Sequence, residues 1–296
     1  MQTTETPSGQ HPDLDQYGTL ELIRAFTEDQ VRAANVVHAV APQLVRAVEA
    51  AVPRIAAGGR LIYVGAGTSG RLGVLDSVEL FPTFSWPQER TLALIAGGKD
   101  AMYEAVEGAE DDQAQGAADL RALNPTPNDV CIALAASGTT PYVLGALEAA
   151  RGAGALTIGI SNNPDVPVAT QAEVGITIAT GSEVISGSTR LKAGTAQKIV
   201  LNTLSSAIMV RLHRVHGNLM VDLRATNAKL QRRAVALAMR VTGADEATAR
   251  RTLVASQYRV KVAIVAIMRK IDVTAAEAAL EAVDGSVRQA LAGGGR

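Results

Sequence analysis

Residues 60–73 read Arg-Leu-Ile-Tyr-Val-Gly-Ala-Gly-Thr-Ser-Gly-Arg-Leu-Gly, and this stretch decides the fold class. Leu61–Val64 form a short apolar run that is typical of a buried strand. The run is followed directly by Gly65, Gly67 and Gly70. Glycines allow a tight turn and a close approach of the backbone to a ligand. Thr68 and Ser69 add two hydroxyls to the turn, and a helical pattern begins there. Free N–H groups and the helix dipole make such a turn a predicted phosphate site.

The same glycine spacing also fits a dinucleotide-binding fingerprint. That interpretation expects an acidic residue about 20 positions further on, at the end of the second strand. The next strand-like run, Thr91–Ile95, ends instead in Ala96-Gly97-Gly98, and Glu89 precedes that run. A phosphate turn is therefore favoured, with a dinucleotide site and a plain strand-to-helix turn left as alternatives.

The composition limits the classes of function. The chain has 296 residues, enough for one large domain or for a large and a small one. Aromatic residues make up only 3%, so the core must consist of smaller aliphatic side chains, and base-stacking platforms are not expected. The net charge of −1 gives no basic field for nucleic acid. We therefore expect no nucleic-acid partner, and an anion must be held by local geometry.

The few residues with special chemistry narrow the choice further. Cys131 is the single cysteine, so an internal disulfide is excluded, and its apolar surroundings predict an inert core thiol. The four histidines do not form a metal-ligand cluster, so no metal site is predicted. No signal peptide and no apolar run of membrane-spanning length is visible, which predicts a cytoplasmic protein without membrane association.

Strand-like and helical patterns alternate through the middle of the chain. Strand-like runs occur at 60–64, 91–96, 129–135, 155–160 and 174–179. Helical patterns lie between them, near 69–79, 100–122, 140–152 and 165–171. This order predicts parallel βαβ units, and the nearly continuous apolar runs indicate strands covered on both faces. We expect an α/β fold with a doubly wound, five-stranded parallel sheet and flanking helices.

Helical patterns also precede and follow this region. A capping box at Thr27–Gln30 predicts the start of one helix, and Pro42 the start of a second. Helices are also predicted at 190–213 and 218–241. Capping boxes at Thr274 and Ser286 indicate short helices within 245–293.

These patterns predict three parts of the chain. Residues 1–17 are expected to be a loose N-terminal tail, and 18–240 to form the α/β domain with its N-terminal helices. Residues 241–296 are expected to form a small three-helix module of UBA-like type, ending in a frayed stretch at Gly293–Gly295.

Hydroxyl-rich segments follow four of the predicted strands, at 65–71, 136–141, 161–164 and 181–189. In an open parallel sheet, ligands bind beyond the carboxyl ends of the strands. Each segment alone is typical of a turn or cap. Their repetition at one sheet edge instead favours a phosphorylated, hydroxyl-rich ligand such as a sugar phosphate.

Two acidic regions are candidates for acid–base chemistry. Glu79 is flanked by Val78, Leu80 and Phe81, and apolar surroundings would raise its pKa toward the range a general acid or base needs. Glu107 and Glu110 are three residues apart on a predicted helix and would share a face. A solvated helix face is the expected role for most acidic residues there.

The motifs together resemble a known family, the N-acetylmuramic acid 6-phosphate etherases, which are bacterial members of the sugar isomerase (SIS) superfamily. Five segments carry the resemblance: Gly65–Gly73, Val106–Asp111, Ala136–Tyr142, Arg190–Lys198 and Gly217–Asp222. The similarity runs from about residue 18 to the C-terminus. The glucokinase regulatory protein shares much of the same pattern.

The resemblance implies a reaction and its residues. The family cleaves the D-lactyl ether of N-acetylmuramic acid 6-phosphate by elimination and hydration, giving N-acetylglucosamine 6-phosphate and D-lactate, with no cofactor. By similarity Glu79 is the proton donor to lactate and Glu110 the base. The residues implied for substrate binding are Gly67, Thr68, Ser69, Gly70, Ser137, Gly138, Thr139, Thr140, Ser188 and Thr189. A homodimer is also implied, and both peptidoglycan recycling and the use of external muramic acid are left open as the pathway.

One departure and two alternatives accompany this interpretation. Most relatives follow the first glutamate with Cys-Pro-Pro, whereas this chain has Leu80-Phe81-Pro82, so the wall of the pocket is expected to differ.

A sugar-phosphate isomerase is one alternative, with Glu183 as its base after the fifth strand. A non-enzymatic sugar-phosphate sensor that binds a partner protein is the other.

Overall fold

The computed structural model describes residues 2–223, 225 and 227–293. They fall into two compact units. The first comprises the residues up to Val78 together with Gln88–Ser205, and the second comprises Glu79–Pro87 together with the residues from Ser206 onward. The predicted division into 1–17, 18–240 and 241–296 stays a prediction.

A five-stranded parallel sheet forms the centre of the first unit, as predicted. Its strands are β1 (Leu61–Gly65), β2 (Thr91–Ile95), β3 (Val130–Ala135), β4 (Leu156–Ser161) and β5 (Val174–Thr177). The strand order is β2-β1-β3-β4-β5, and every pairing is parallel. All residues of β1, β3 and β4 are buried, which explains their unbroken apolar sequences.

The strand register brings the carboxyl ends of the strands to one edge. Gly65, the last residue of β1, lies opposite Ile95 of β2 and Leu134 of β3. Ser161, the last residue of β4, lies opposite Ala135 and Thr177. The hydroxyl-rich segments after these strands therefore share this edge, as their position after successive parallel strands predicted.

Seven helices begin in the first unit. They are α1 (Thr19–Ala39), α2 (Ala41–Ala56), α3 (Gly67–Phe84), α4 (Gln113–Ala122), α5 (Pro141–Gly152), α6 (Pro167–Thr170) and α7 (Lys192–Arg211). The predicted start of a helix at Pro42 is confirmed, since proline occupies the first turn of α2. The predicted helix start at Thr27 is wrong, because Thr27 lies inside α1, whose N-cap is Gly18.

The helix predicted over 100–122 forms only in its second half. Short 3-10 turns cover Gly98–Met102 and Ala109–Asp111, and the α-helix begins at Gln113. Gly97, Gly98 and Gly108 all have positive φ angles, between 71° and 85°. Gly108, the one of these that lies within 100–122, interrupts a right-handed helix, so Glu107 and Glu110 do not share a helix face as expected.

A buried hydrogen-bond network fixes α3 against the sheet. The hydroxyl of Tyr63 on β1 donates to Asp76 Oδ2 of α3 at 2.7 Å. Asn202 Nδ2 and Ser205 Oγ on α7 donate to Asp76 Oδ1 at 2.7 and 3.2 Å. Burial, with the Asp76 charge as a further cause, raises the pKa of Tyr63 well above its ordinary value. A neutral tyrosine therefore serves here as a fixed donor that orients the helix.

The second unit is mainly helical. A short hairpin pairs β6 (Val215–His216) with β7 (Leu219–Met220), so the predicted helix over 218–241 is wrong in its first part. The helices are α8 (Ala228–Thr242), α9 (Glu246–Ala255), α10 (Val260–Arg269), α11 (Val273–Glu281) and α12 (Val287–Ala292). The described residues of 245–293 thus contain four helices rather than the expected three. Ser286 caps α12 as predicted, while Asp272, not Thr274, caps α11. Of the predicted frayed stretch, Gly294 and Gly295 lie outside the described residues.

Asp222, at the end of the Gly217–Asp222 motif, joins several parts of the second unit. Its Oδ2 atom lies 2.7 Å from Lys261 Nζ and 3.3 Å from Arg214 Nη1. Its backbone carbonyl accepts a hydrogen bond from Ser85 Oγ. The Arg214 guanidinium lies 5.1 Å from the ring centroid of Trp86, a cation–π contact. The motif therefore has a structural role within this unit.

None of the helices in the described part of the chain has both the length and the hydropathy needed to cross a bilayer.

Cys131 provides a test of the packing of the sheet. It lies in β3 with no exposed surface, and burial raises its pKa to about 12. The thiolate is the reactive form, so the folded protein should not react with a thiol reagent in mildly alkaline buffer. We expect one thiol per chain to be titrated after unfolding in urea. Rapid and complete labelling of the native protein would contradict this packing.

Candidate functional site

The turn between β1 and α3 depends on direct contact between two backbone segments. A Cβ atom on Gly65 would lie 2.6 Å from the Gly70 nitrogen, and a Cβ atom on Gly70 would lie 2.7 Å from Ile95 Cγ1. Gly70 N donates to Ala66 O at 3.0 Å, and Gly67 has a φ of +51°. With this spacing, α3 begins immediately at the strand end. Its first N–H groups have no acceptor within the helix, and they are available to an anion.

A second turn of the same kind connects β3 to α5. Gly138 has a φ of +76°, and its α-hydrogen replaces a side chain that would clash with Val166. Thr139 N donates to Ser137 Oγ at 3.2 Å, and Ser137 Oγ lies 3.4 Å from Thr140 Oγ1. Thr140 is the N-cap residue of α5, yet its hydroxyl makes no capping bond. These hydroxyls and the first N–H groups of α5 therefore surround a second anion-binding position.

Both turns open into one cleft of about 330 Å³ in the first unit. Thr189, from the segment after β5, and Glu110, from the turn before α4, complete its wall. The lining residues are Glu5, Ala66, Gly67, Thr68, Ser69, Glu110, Asp111, Ala135, Ala136, Ser137, Thr139, Thr140, Pro141 and Thr189.

The charge distribution in this cleft is unusual for an anion site. Among the described residues that line it, three are acidic, Glu5, Glu110 and Asp111, and none is a lysine or an arginine. A phosphate here would be held by two helix N-termini and by hydroxyl groups. The carboxylates would face the neutral or reacting parts of the same ligand, since they would repel the phosphate.

Glu110 lies on the border of two clefts. It follows Gly108, whose φ is +74°, within the turn Ala109–Asp111. It also lines an adjoining cleft of about 260 Å³, where the Arg71 side chain is fixed by Nε donating to Ala101 O at 2.9 Å. Ala66 and Gly67 line both clefts as well. A ligand bound in the first cleft would therefore contact Glu110 on the side that adjoins the second cleft.

The surroundings of Glu79 differ from the expectation. Leu80 is buried, but Glu79 is exposed and Val78 has 64% of its surface exposed. The predicted apolar environment for Glu79 is therefore wrong for the single chain. The local sequence misled because residues adjacent on a helix point in different directions, and only Leu80 points inward.

Ser69 is held more firmly than the sequence suggested. Its hydroxyl is buried and donates to Gln197 Oε1 at 2.8 Å, and Gln197 Nε2 donates to Asn162 Oδ1 at 2.8 Å. The hydroxyl proton is thus used within the protein. Ser69 is therefore suited to offer its backbone N–H to a ligand, and Thr68 retains a hydroxyl on the cleft wall.

The cleft gathers most of the predicted site residues. Those that line it are Gly67, Thr68, Ser69, Ser137, Thr139, Thr140, Thr189 and Glu110. Gly70, Gly138, Ser188 and Glu79 are not among the lining residues. Gly70 and Gly138 act indirectly, because they permit the backbone paths of the two turns. Glu79 belongs to the second unit, and Glu110 to the first.

Sequence reasoning missed Glu5 and Asp111 as lining residues. Asp111 directly follows Glu110 in the same turn, so its position next to a predicted site residue could have indicated it. Glu5 lies in the segment that was expected to be a loose tail. In the structure this segment forms a 3-10 turn, Thr3–Glu5, and Thr4 is fully buried. No periodicity or motif marked it.

Glu183, the candidate base of the isomerase alternative, is inaccessible. It has no exposed surface, and its two carboxylate oxygens accept the backbone N–H groups of Lys192 and Ala193 at 2.9 and 2.8 Å. Burial raises its pKa, while these two hydrogen bonds and the Lys192 charge oppose that rise. Glu183 therefore binds the N-terminus of α7, and its burial shields the carboxylate from a substrate.

A buried ion pair supports the same loop. Lys192 Nζ lies 2.8 Å from Asp29 Oδ1 on α1 and donates to Ser182 O at 2.6 Å. Both charged side chains are about 95% buried. The pair links α1, the segment after β5 and the start of α7, which brings Thr189 to the cleft.

Within the described part of the chain, no three His, Cys, Asp or Glu residues are grouped so that they could hold a metal ion.

Family models match along most of the chain. Residues 43–151 match the glucokinase regulatory protein N-terminal SIS domain, and residues 110–207 match the SIS domain. Residues 217–282 match the C-terminal lid domain of glucokinase regulatory protein.

Curated relatives are similar over nearly their full length. A protein of Deinococcus radiodurans named N-acetylmuramic acid 6-phosphate etherase is 56% identical over 293 residues, covering 98% of this chain and 95% of the relative. Proteins with the same name from Pectobacterium atrosepticum and Serratia proteamaculans are 49% and 48% identical. Those two matches cover 98% and 97% of this chain and 96% and 97% of the relatives.

Solved structures support the fold. A putative phosphosugar isomerase involved in capsule formation from Bacteroides fragilis aligns with a TM-score of 0.51 and 23% identity, covering 68% of this chain and 98% of that one. A phosphoheptose isomerase from Francisella tularensis aligns with a TM-score of 0.50 and 20% identity, covering 66% and 100%. At these identities the likeness concerns the fold alone.

The Lys192–Asp29 pair yields a stability prediction. Lys192→Met leaves Asp29 as an uncompensated buried charge, so we expect the free energy of unfolding to fall by about 3–5 kcal/mol. Urea denaturation followed by circular dichroism measures the change. Arg250→Met is the matched control, because its pair with Glu246 is exposed, and it should leave the midpoint nearly unchanged. Equal effects of the two substitutions would contradict the buried role of Lys192.

Proposed function

We infer that this chain cleaves the D-lactyl ether of N-acetylmuramic acid 6-phosphate, since it belongs to the family of N-acetylmuramic acid 6-phosphate etherases. The products are N-acetylglucosamine 6-phosphate and D-lactate. The observation that carries this function is the near-full-length identity to relatives of that name. The cleft supports it, because it combines hydroxyl-rich helix N-termini with carboxylates.

We propose that the two glycine turns bind the 6-phosphate. The first N–H groups of α3 and α5 supply partial positive charge, and Thr68, Ser137, Thr139 and Thr140 supply hydroxyls. Thr189 extends the polar wall toward the sugar. Because none of the described lining residues is a cation, the geometry of these donors sets the position of the phosphate, and through it the position of the sugar.

The reaction requires one base and one acid. In the open-chain sugar, the C1 aldehyde acidifies the proton on C2. The base removes this proton, the electron pair forms the C2–C3 double bond, and the C3–oxygen bond breaks. The acid protonates the departing lactate oxygen. Water then adds, its hydroxyl to C3 and a proton to C2, giving N-acetylglucosamine 6-phosphate.

We assign the base to Glu110 and the proton donor to Glu79, as the family resemblance implies. The position of Glu110 on the cleft wall supports its role, since a ligand held by the phosphate turns would meet it. For Glu79, the support is its place in the Asp76–Glu79 segment that matches the family. Its exposure leaves the carboxyl group accessible to a substrate.

The isomerase alternative is disfavoured by the burial of Glu183, described above. The sensor alternative predicts binding of a sugar phosphate without turnover. The similarity of residues 217–282 to a domain of glucokinase regulatory protein keeps this alternative relevant, and a turnover assay distinguishes the two.

We further propose that the enzyme is a cytoplasmic homodimer. Leu75 and Val78, on the same helix as Glu79, have 42% and 64% of their surfaces exposed. Apolar side chains beside a catalytic carboxylate favour cover by another copy, which would also desolvate Glu79. In this arrangement Glu79 of one subunit acts at the cleft of its partner.

The decisive test of the reaction uses isotopically labelled water. We expect the purified chain to release D-lactate from N-acetylmuramic acid 6-phosphate in water enriched in oxygen-18. The label should appear in the C3 hydroxyl of the amino-sugar product, because the C3–oxygen bond breaks. Mass spectrometry of both products measures this. Label in lactate, or release of no lactate, would contradict elimination and hydration, and formation of a ketose would favour an isomerase.

The sharing of the site between subunits has its own test. Glu79→Gln and Glu110→Gln should each abolish lactate release, since each lacks one proton-transfer group. When the two inactive variants are mixed and allowed to exchange subunits, we expect activity to return in part, because hybrid dimers regain one site with both glutamates. Each variant incubated alone is the control. No recovery, with exchange shown by mass spectrometry, would assign both glutamates to one subunit.

A further inference from the structure

The N-terminal segment is anchored at the same sheet edge as the cleft. Thr4 is fully buried, and its backbone N donates to Asn163 Oδ1 at 3.3 Å. Thr3 Oγ1 donates to the same oxygen at 2.8 Å, and Asn163 Nδ2 donates back to Thr4 Oγ1 at 2.9 Å. Asn163 follows β4, and it is itself fixed by a bond from Nδ2 to Ala136 O at 3.0 Å. This reciprocal pairing sets the position of the segment.

Further contacts tie the segment to the loops on either side. Gln2 Nε2 donates to Thr139 Oγ1 at 3.1 Å, in the turn after β3. Gly187 N donates to Thr4 O at 3.3 Å, in the segment after β5. The N-terminus therefore contacts the loops that follow three neighbouring strands, and two of these loops supply residues to the cleft wall.

This anchoring brings Glu5 to the cleft wall. Glu5 ends the Thr3–Glu5 turn and lines the cleft together with Thr68 and Ser137. A Cβ atom on Gly187 would lie 3.0 Å from Glu5 Oε2, so the glycine leaves room for the carboxylate. Among the residues that the structure describes, no side chain forms an ion pair or hydrogen bond with this carboxylate. It is therefore free to accept a hydrogen bond from a ligand.

We propose that Glu5 is a specificity-determining residue that contacts the amino sugar by accepting a hydrogen bond from one of its neutral donors, a hydroxyl or the acetamide N–H. This inference rests on the proposed function. An ionised carboxylate only accepts hydrogen bonds, and it repels both the phosphate and the lactyl carboxylate of the substrate. Its partner must therefore be a neutral donor group of the sugar.

The same charge penalises the wrong ligand. Inorganic phosphate can occupy the two glycine turns, but it offers Glu5 no neutral donor and meets its negative charge. Glu5 thus strengthens binding of the sugar phosphate through a hydrogen bond and weakens binding of phosphate alone through charge repulsion. Both effects increase specificity for the sugar phosphate. A carboxylate with a purely structural role would not change these two affinities in opposite directions.

The test compares Glu5→Ala and Glu5→Gln with Glu28→Ala, a control at an exposed carboxylate on α1. Lactate release gives KM and kcat, calorimetry gives the Kd of N-acetylglucosamine 6-phosphate, and inhibition gives the Ki of inorganic phosphate. For Glu5→Ala we expect KM and this Kd to rise about tenfold, the loss of one charge-assisted hydrogen bond, with kcat little changed. The Ki of phosphate should fall, because the negative charge that repels it is removed. Glu5→Gln should lie between Glu5→Ala and the wild type, and Glu28→Ala should match the wild type.

Two results would overturn the inference. Unchanged KM and Kd in Glu5→Ala would mean that Glu5 does not contact the sugar. A parallel loss of affinity for phosphate, or a lower denaturation midpoint, would mean that the substitution disturbs the cleft itself. The calorimetric comparison is independent of catalysis. If the wild type releases no lactate, the proposed function fails, while the Kd of the sugar phosphate still decides the role of Glu5.

Discussion

The contact between the backbones of Gly65 and Gly70 is the constraint on which the site depends. Any side chain at either position would occupy space already filled by backbone atoms or by Ile95. Because both residues are glycines, the two backbone segments can touch. The helix α3 therefore starts at the end of β1 and directs its first N–H groups to the sheet edge. The buried Tyr63–Asp76 hydrogen bond then holds the helix in that orientation. The close packing of these two glycines therefore positions the anion-binding N–H groups.

This contact builds an anion site in which none of the described lining residues is a lysine or an arginine. The cleft relies on two helix N-termini and on hydroxyls, and its three charged lining residues are all acidic. Such a site separates two tasks within one ligand. Backbone dipoles hold the phosphate, while carboxylates act on the sugar, where protons must be accepted or donated. A lysine beside the phosphate would pair with these carboxylates and reduce their basicity, so its absence from the lining suits elimination chemistry.

Buried polar groups arrange the loops that carry the site. Gln197 joins Ser69 to Asn162, Asn163 fixes the N-terminal turn, and Glu183 with Lys192 holds the start of α7. Gln197, Asn163 and the Lys192–Asp29 pair connect segments that are far apart in the sequence, whereas Glu183 and Lys192 are only nine residues apart. This explains why loops so rich in hydroxyls keep a defined shape. It also explains why Glu183, which resembles a catalytic residue by its position along the chain, is a structural one.

The sequence by itself determined the sheet, the glycine turns and the main cleft residues, because these depend on local rules: apolar runs, glycine spacing and hydroxyls after strands. The five strands agree with the structure to within a residue or two at most ends. Tertiary structure alone decided the rest. The helix predicted over 100–122 was broken at Gly108, whose φ is positive, and Glu79 was exposed despite its apolar neighbours. Glu5 reached the cleft through contacts between Thr4 and Asn163, which are 159 residues apart. No local pattern encodes such pairings, because these contacts stabilise the protein only after folding has brought the distant groups together.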